Sequence, residues 1–83
     1  MTKDELIQLL NSPTDLILIQ HENMKDVAFW PLSVDSDEDF YKITGIWYNM
    51  VIKQLIGNGK GDVARETINI KKEDLEKWKT MKI

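Results

Sequence analysis

The chain of 83 residues reads as a small α+β domain, ordered α-β-β-α-β-α, with a three-stranded, mainly antiparallel sheet and a central buried helix. Three observations lead there. A capping pattern opens an apolar arc at the N-terminus. Three short β-rich runs are bounded by turn residues. A long apolar stretch over residues 40–56 repeats at helical spacing and ends on glycine. Residues 1–83 form one domain, because a second core would need roughly another hundred residues.

The first helix starts at Thr2, whose hydroxyl stands three residues before Glu5 in capping-box spacing. Leu6, Ile7, Leu9 and Leu10 then share one arc, and the helix runs to about Asn11. Ser12, Pro13, Thr14 and Asp15 break it. Residues 16–20 are an apolar run too short for a helix, and residues 27–32 are a second strand candidate. The polar segment 21–26 joins them as a hairpin. Pro31 cannot donate a ladder hydrogen bond, so the second strand ends at or beyond a sheet edge.

Ser36, with Asp39 three residues on, resembles another helix start, and the helical spacing holds from Phe40 to Ile56. Phe40, Ile43, Trp47, Met50 and Val51 fall within about 100° of arc, with Tyr41, Gly45, Tyr48 and Ile52 on an adjoining face. Gly45, about 1 kcal/mol worse than Ala inside a helix, either permits a close helix approach or marks a helix that begins only after Thr44. Residues 65–70 alternate as a half-buried strand with Ile68 and Ile70 on one face. Residues 71–82 carry Leu75, Trp78 and Met81 at three-residue spacing and form a peripheral helix. The expected core is Phe40, Ile43, Trp47, Met50, Ile17, Ile19, Phe29 and Ile68. Either Leu6, Leu10, Leu75 and Trp78 of the terminal helices cover the second stripe or a second chain does, and the first is favoured, so a monomer is expected over a homodimer.

Composition excludes several function classes. There is no cysteine, hence no disulfide, thiolate zinc site or thiol nucleophile. No stretch approaches the roughly 18 apolar residues of a membrane span, and the start Met1-Thr2-Lys3-Asp4 lacks the apolar core of a signal peptide, so a cytoplasmic protein is expected. Ten Lys against one Arg, and ten Ile against two Ala, are the bias of an AT-rich genome, such as a low-GC bacterium, its plasmid or its phage. The net charge of −3 divides unevenly: residues 1–40 hold nine acids and two bases (−7), and residues 41–83 hold nine bases and five acids (+4). Charge of this kind governs steering and solubility.

Candidate chemistry fails on its own requirements. Alternating Asp35, Asp37 and Asp39 match the first ligands of an EF-hand loop. Yet the sixth position, which needs Gly, is Phe40, and the twelfth, which needs a bidentate Glu, is Ile46. Gly57, Gly59, Lys60 and Gly61 resemble a phosphate cradle, but the spacing is wrong and the loop closes a helix rather than opening one. His21 has no second ligand and sits in a turn. Ser12, Ser33 and Ser36 occupy turn or cap positions with nothing to activate them. No enzyme, cofactor or metal is expected.

Arg65, Ile68, Ile70, Lys71, Lys72, Glu73, Asp74, Leu75 and Trp78 resemble the closing strand and helix of excisionase-type winged-helix DNA-binding domains. The likeness covers residues 65–78. It implies a helix-turn-helix within residues 40–56, where the recognition helix from Gly45 offers only Lys53 as a cation. On this reading Lys60, Arg65, Lys71 and Lys72 contact DNA.

The first expectation is a different one, a small protein-binding module of inhibitor, immunity or accessory type. Its site is Trp30, at a sheet edge, inside an acidic rim of Asp35, Asp37, Glu38 and Asp39. Such a rim speeds the approach of a basic partner and the desolvated ring holds it.

Overall fold

The computed structural model describes residues 1–11, 16–57 and 64–82. The break expected at residues 12–15, and the 57–62 loop apart from Gly57, with Lys60, lie outside the described residues.

Helix α1 spans Lys3–Leu10 and begins as its capping box dictates. The Glu5 amide donates to Thr2 Oγ1, and the Thr2 amide donates to Glu5 Oε1, both at 3.2 Å. Six antiparallel strands follow: β1 Ile17–His21, β2 Val27–Ser36, β3 Phe40–Asn49, β4 Gln54–Leu55, β5 Glu66–Lys71 and β6 Trp78–Lys82. They form one sheet in the order β4-β3-β2-β1-β6, with β5 also paired to β3. A 3₁₀ helix, Lys72–Lys77, carries the chain from β5 to β6.

This architecture overturns the three-stranded sheet with a central buried helix. The helix expected over residues 40–56 is strand β3, a turn at residues 50–53 and the short β4. Four aromatics and β-branched Ile43, Thr44 and Ile46 make β3 a good pleated strand and a mediocre helix. Its helical spacing arose because both faces are apolar, and a strand buried on two sides satisfies a 3.6-residue pattern by coincidence. Tyr41, Ile43 and Trp47 face one side of the sheet, whereas Ile46 and Tyr48 face the other.

Gly45 has a different role from the one its sequence context suggested. It lies opposite Pro31 in β2, and a Cβ there would collide with the Trp30 carbonyl oxygen and come within 2.8 Å of the Phe29 ring. Nor does β2 end at Pro31. The strand continues to Ser36 past an irregularity between Pro31 and Ser33, a kind of site that tolerates a proline's missing N–H. Ile19 is in register with Phe29, so β1, which starts at Ile17, runs out at about Pro31.

The expected C-terminal helix is likewise corrected. Leu75 is buried in the 3₁₀ turn, whose three residues per turn suit the spacing only briefly. From Trp78 the chain pairs with β1 across five residues, His21 opposite Trp78 and Ile17 opposite Lys82. Trp78 and Met81 thereby fall on opposite faces.

One face of the sheet carries the main core. Leu6 of α1, Ile19, Phe29, Tyr41, Ile43, Ile70, Leu75 and Trp78 cluster there, with Trp47 and Ile68 half-buried against them. The opposite face holds Leu18, Ala28 and Tyr48, flanked by half-buried Trp30, Met50, Leu55 and Met81. Of the expected core, Ile19, Phe29 and Ile43 are fully enclosed, while Phe40, Trp47, Met50, Ile17 and Ile68 are half-buried. Tyr41 and Gly45 share the first face, Tyr48 takes the second, and Ile52 stands exposed in the turn, so the second helical stripe does not exist. Trp47 stacks edge-on against Phe29 at 4.9 Å and donates its indole N–H to Glu66 Oε2 at 2.7 Å.

Gly45→Ala separates the two conformations by sign. In a helix interior the change would stabilise by about 1 kcal/mol. In this strand, where the added methyl meets backbone, we expect a loss of about 3 kcal/mol, read from the urea midpoint.

Candidate functional site at the β2–β3 turn and the β5 edge

The acidic run forms a hairpin turn. Asp37 Oδ1 accepts from the Asp39 amide at 2.9 Å and the Phe40 amide at 2.8 Å, and the Asp37 amide donates to the Phe40 carbonyl at 3.0 Å. The preference that suggested a helix cap is the one used here, since a carboxylate that takes up free backbone N–H groups serves a helix start and an Asx turn equally. Ser36 and Asp39 therefore begin no helix.

These bonds hold the Asp37 carboxyl below its usual 3.8. The Phe40 amide is the largest cause and the Asp39 amide the next; a small desolvation opposes them, and Lys42 and Lys72 add attraction. Lys42 Nζ lies 3.7 Å from Asp37 Oδ2, both side chains about half exposed, so this pair contributes little to stability.

Trp30 lies elsewhere. It occupies the interior of β2 opposite Ile46, half-buried against Leu18, Ala28 and Tyr48. Five residues of strand, roughly 16 Å, separate it from Asp35. Trp30 is thus neither at the strand's end nor inside the acidic rim, because the residues that follow Pro31 extend the strand instead of turning back.

A different aromatic takes that place. Phe40, half-buried, lines a shallow depression with Asp39, Lys71 and Glu73. The Lys72 amide donates to the Asp39 carbonyl at 2.9 Å, tying the start of the 3₁₀ helix to the hairpin turn and bringing Glu73 beside Asp39. Asp39 and Glu73 form no ion pair among the described residues, whereas Asp74 pairs with Lys77 at 3.5 Å. A second depression adjoins the first through Phe40 and Lys71 and continues to Asn69, Ile70, His21 and Trp78. His21 closes β1: its Nδ1 accepts the Asn23 amide at 3.1 Å, and its ring meets Trp78 edge-on at 5.4 Å. Each depression is about 270 Å³, room for a side chain or two, below the usual range for a small-molecule pocket.

The sequence offered one signal for this site, an Asx pattern at Asp37 three residues before an aromatic. Glu73, His21 and Trp78 carried none, because they come from elements joined only by long-range pairing.

Of the cations proposed for DNA contact, Lys71 and Lys72 are adjacent and Arg65 stands apart. Arg65, just before β5, and Lys71, at its end, are both exposed and roughly 20 Å apart. Lys71 faces the depression, and Lys72 places its ammonium 5.5 Å from the Tyr41 ring centre. No helix-turn-helix exists among the described residues, since residues 40–57 form β3, a turn and β4. The structural expectation attached to the excisionase-type resemblance is therefore corrected. No described helix is long and apolar enough to cross a membrane. Comparison with protein-family models, curated proteins and solved structures finds no match to this chain.

The depressed Asp37 value fixes the sign of a pH effect. A carboxyl that is more acidic when folded stabilises the turn above its unfolded value, and that contribution disappears as pH falls through the folded value. We expect the Asp37 carboxyl carbon to titrate with a midpoint below 3.8 by NMR. In Asp37→Ala the Phe40 amide should exchange faster at neutral pH. A midpoint at or above 3.8 would contradict the turn.

Proposed function

We propose that this chain is a small, non-enzymatic protein-binding module of inhibitor, immunity or accessory type, which takes a basic segment of its partner at the acidic, aromatic surface around Phe40. Its composition suits a low-GC bacterium or one of its mobile elements. The observation that carries the reading is Phe40, half-exposed and flanked by Asp39 and Glu73, two carboxylates without an ion-pair partner among the described residues. An aromatic beside two carboxylates and a single lysine matches the division of labour at interfaces, where charge accelerates encounter and a desolvated ring slows release. The backbone bonds of Asp37 and Lys72 support it from beneath, so the surface is ordered before binding. Asp35, Asp37 and Glu38 are exposed around the same turn and extend the negative field.

Capture from native-host lysate, comparing the parent protein with Asp39→Lys/Glu73→Lys, tests this. We expect a bound protein whose association slows at least tenfold in the variant and slows with added salt in the parent, while Trp30→Phe leaves capture unchanged. Equal capture by the folded charge-reversal variant would overturn the assignment. Salt-sensitive binding of random duplex DNA, lost in Arg65→Glu/Lys71→Glu, would replace it with nucleic-acid binding.

A further inference from the structure

Strand β5 has an unused edge. It pairs antiparallel with β3 from Phe40 opposite Lys71 to Gly45 opposite Glu66, and no described residue pairs with its other side. In an antiparallel strand every second residue turns its N–H and C=O away from its partner, so this side presents an open row of donors and acceptors.

The remaining margins of the sheet differ. Strand β4 is two residues long. Strand β6 carries Lys79 and Lys82, a usual means of discouraging strand addition. The Met1 ammonium also donates to the Trp78 carbonyl at 2.7 Å. Strand β5, by contrast, carries its charges, Glu66 and Lys71, only at its two ends and has β-branched Thr67, Ile68 and Ile70 between them.

The depression beside β5 reaches the C-terminal end of this strand. Asn69, Ile70 and Lys71 line it together with Phe40, opposite Lys71 in β3, and three consecutive strand residues point alternately to opposite faces, so it is not confined to one face of the sheet. Its far wall is His21 and Trp78, and it leads through Phe40 into the depression that holds Asp39 and Glu73. Three carboxylates, Asp39, Glu73 and Asp74, line the two depressions against Lys71, with Asp74 alone of the three in an ion pair among the described residues.

We propose that the partner segment binds as an extended, lysine- or arginine-bearing peptide that adds a strand to the outer edge of β5 and places a cationic side chain between Asp39 and Glu73. Main-chain bonds to β5 supply sequence-tolerant affinity, and the aromatic and acidic depressions read alternate side chains, as in other strand-addition sites. This rests on the protein-binding reading above and specifies the partner's conformation and charge.

The test uses the full chain labelled with ¹⁵N and two blocked octapeptides, one of alternating valine and lysine and one of alternating valine and glutamate. With the lysine peptide we expect saturable shifts of the Thr67, Ile68, Asn69 and Ile70 amides, together with slower exchange of those that face outward. Affinity should fall about tenfold in Asp39→Lys/Glu73→Lys, with the glutamate peptide inactive. Absence of saturable β5 shifts up to about 1 mM peptide, or equal response to both peptides, would overturn the proposal. So would protection of the β5 edge without peptide in a species of twice 9.7 kDa, which would assign the edge to a second copy. Binding of single-stranded nucleic acid at these amides in place of the lysine peptide would overturn it too. If charge reversal abolishes partner capture while β5 ignores the lysine peptide, the docking surface stands and strand addition falls. If β5 responds and capture is indifferent to the charges, the edge site stands and the Phe40 surface falls.

Discussion

The structure depends on the close approach of β2 and β3 at Gly45. Strand β3 pairs with three others, with β2 on one side and with β4 and β5 on the other. At Gly45 the Trp30 carbonyl and the Phe29 ring occupy the space a side chain would need. That vacancy seats Phe29, which is fully buried and receives the edge of Trp47. A larger residue would part the two longest strands where they carry the core, and β5, whose strand pairing is with β3, would shift with them.

Sequence-distant segments meet at the candidate surface because the chain returns to its beginning. After β5 the short 3₁₀ helix delivers Trp78 to β1, so the last strand closes beside the first. Leu75 and Trp78 thereby join Leu6 of the N-terminal helix in one apolar cluster. This crossing carries Glu73 and Asp74 past the β2–β3 turn, where the bond from Lys72 to the Asp39 carbonyl fixes their position. The acidic character of the surface therefore combines two runs more than thirty residues apart in the chain.

The turns show how polar side chains specify local geometry without a helix. Asp37 organises the β2–β3 turn, and Asn49 Oδ1 accepts the Val51 and Ile52 amides at 2.9 and 3.2 Å in the turn after β3. Buried Gln20 donates to the Lys25 and Val27 carbonyls at 3.3 and 3.0 Å and closes the β1–β2 connection. Each satisfies backbone groups that lie beyond the sheet ladder, which is the accounting every turn must meet.

What the sequence determined by itself was local. The capping box at Thr2 and Glu5, the strands around Ile19 and Phe29 with their antiparallel pairing, and the alternation of Ile68 and Ile70 were all legible, because capping, alternation and turn chemistry act within a few residues. The acidic character of residues 35–39 was legible as well, although its element was not, since an Asx turn and a helix cap call for the same side chain. Tertiary structure alone decided β3 and β6. Tyr41, Ile43, Ile46, Trp47 and Tyr48 fit either period when both faces are buried, and the choice fell to the strands available on either side. Trp78 and Met81 became strand residues because β1 offered an open edge some sixty positions earlier. No local pattern encodes a pairing of that range, and for the same reason Phe40, rather than Trp30, came to stand among the acids.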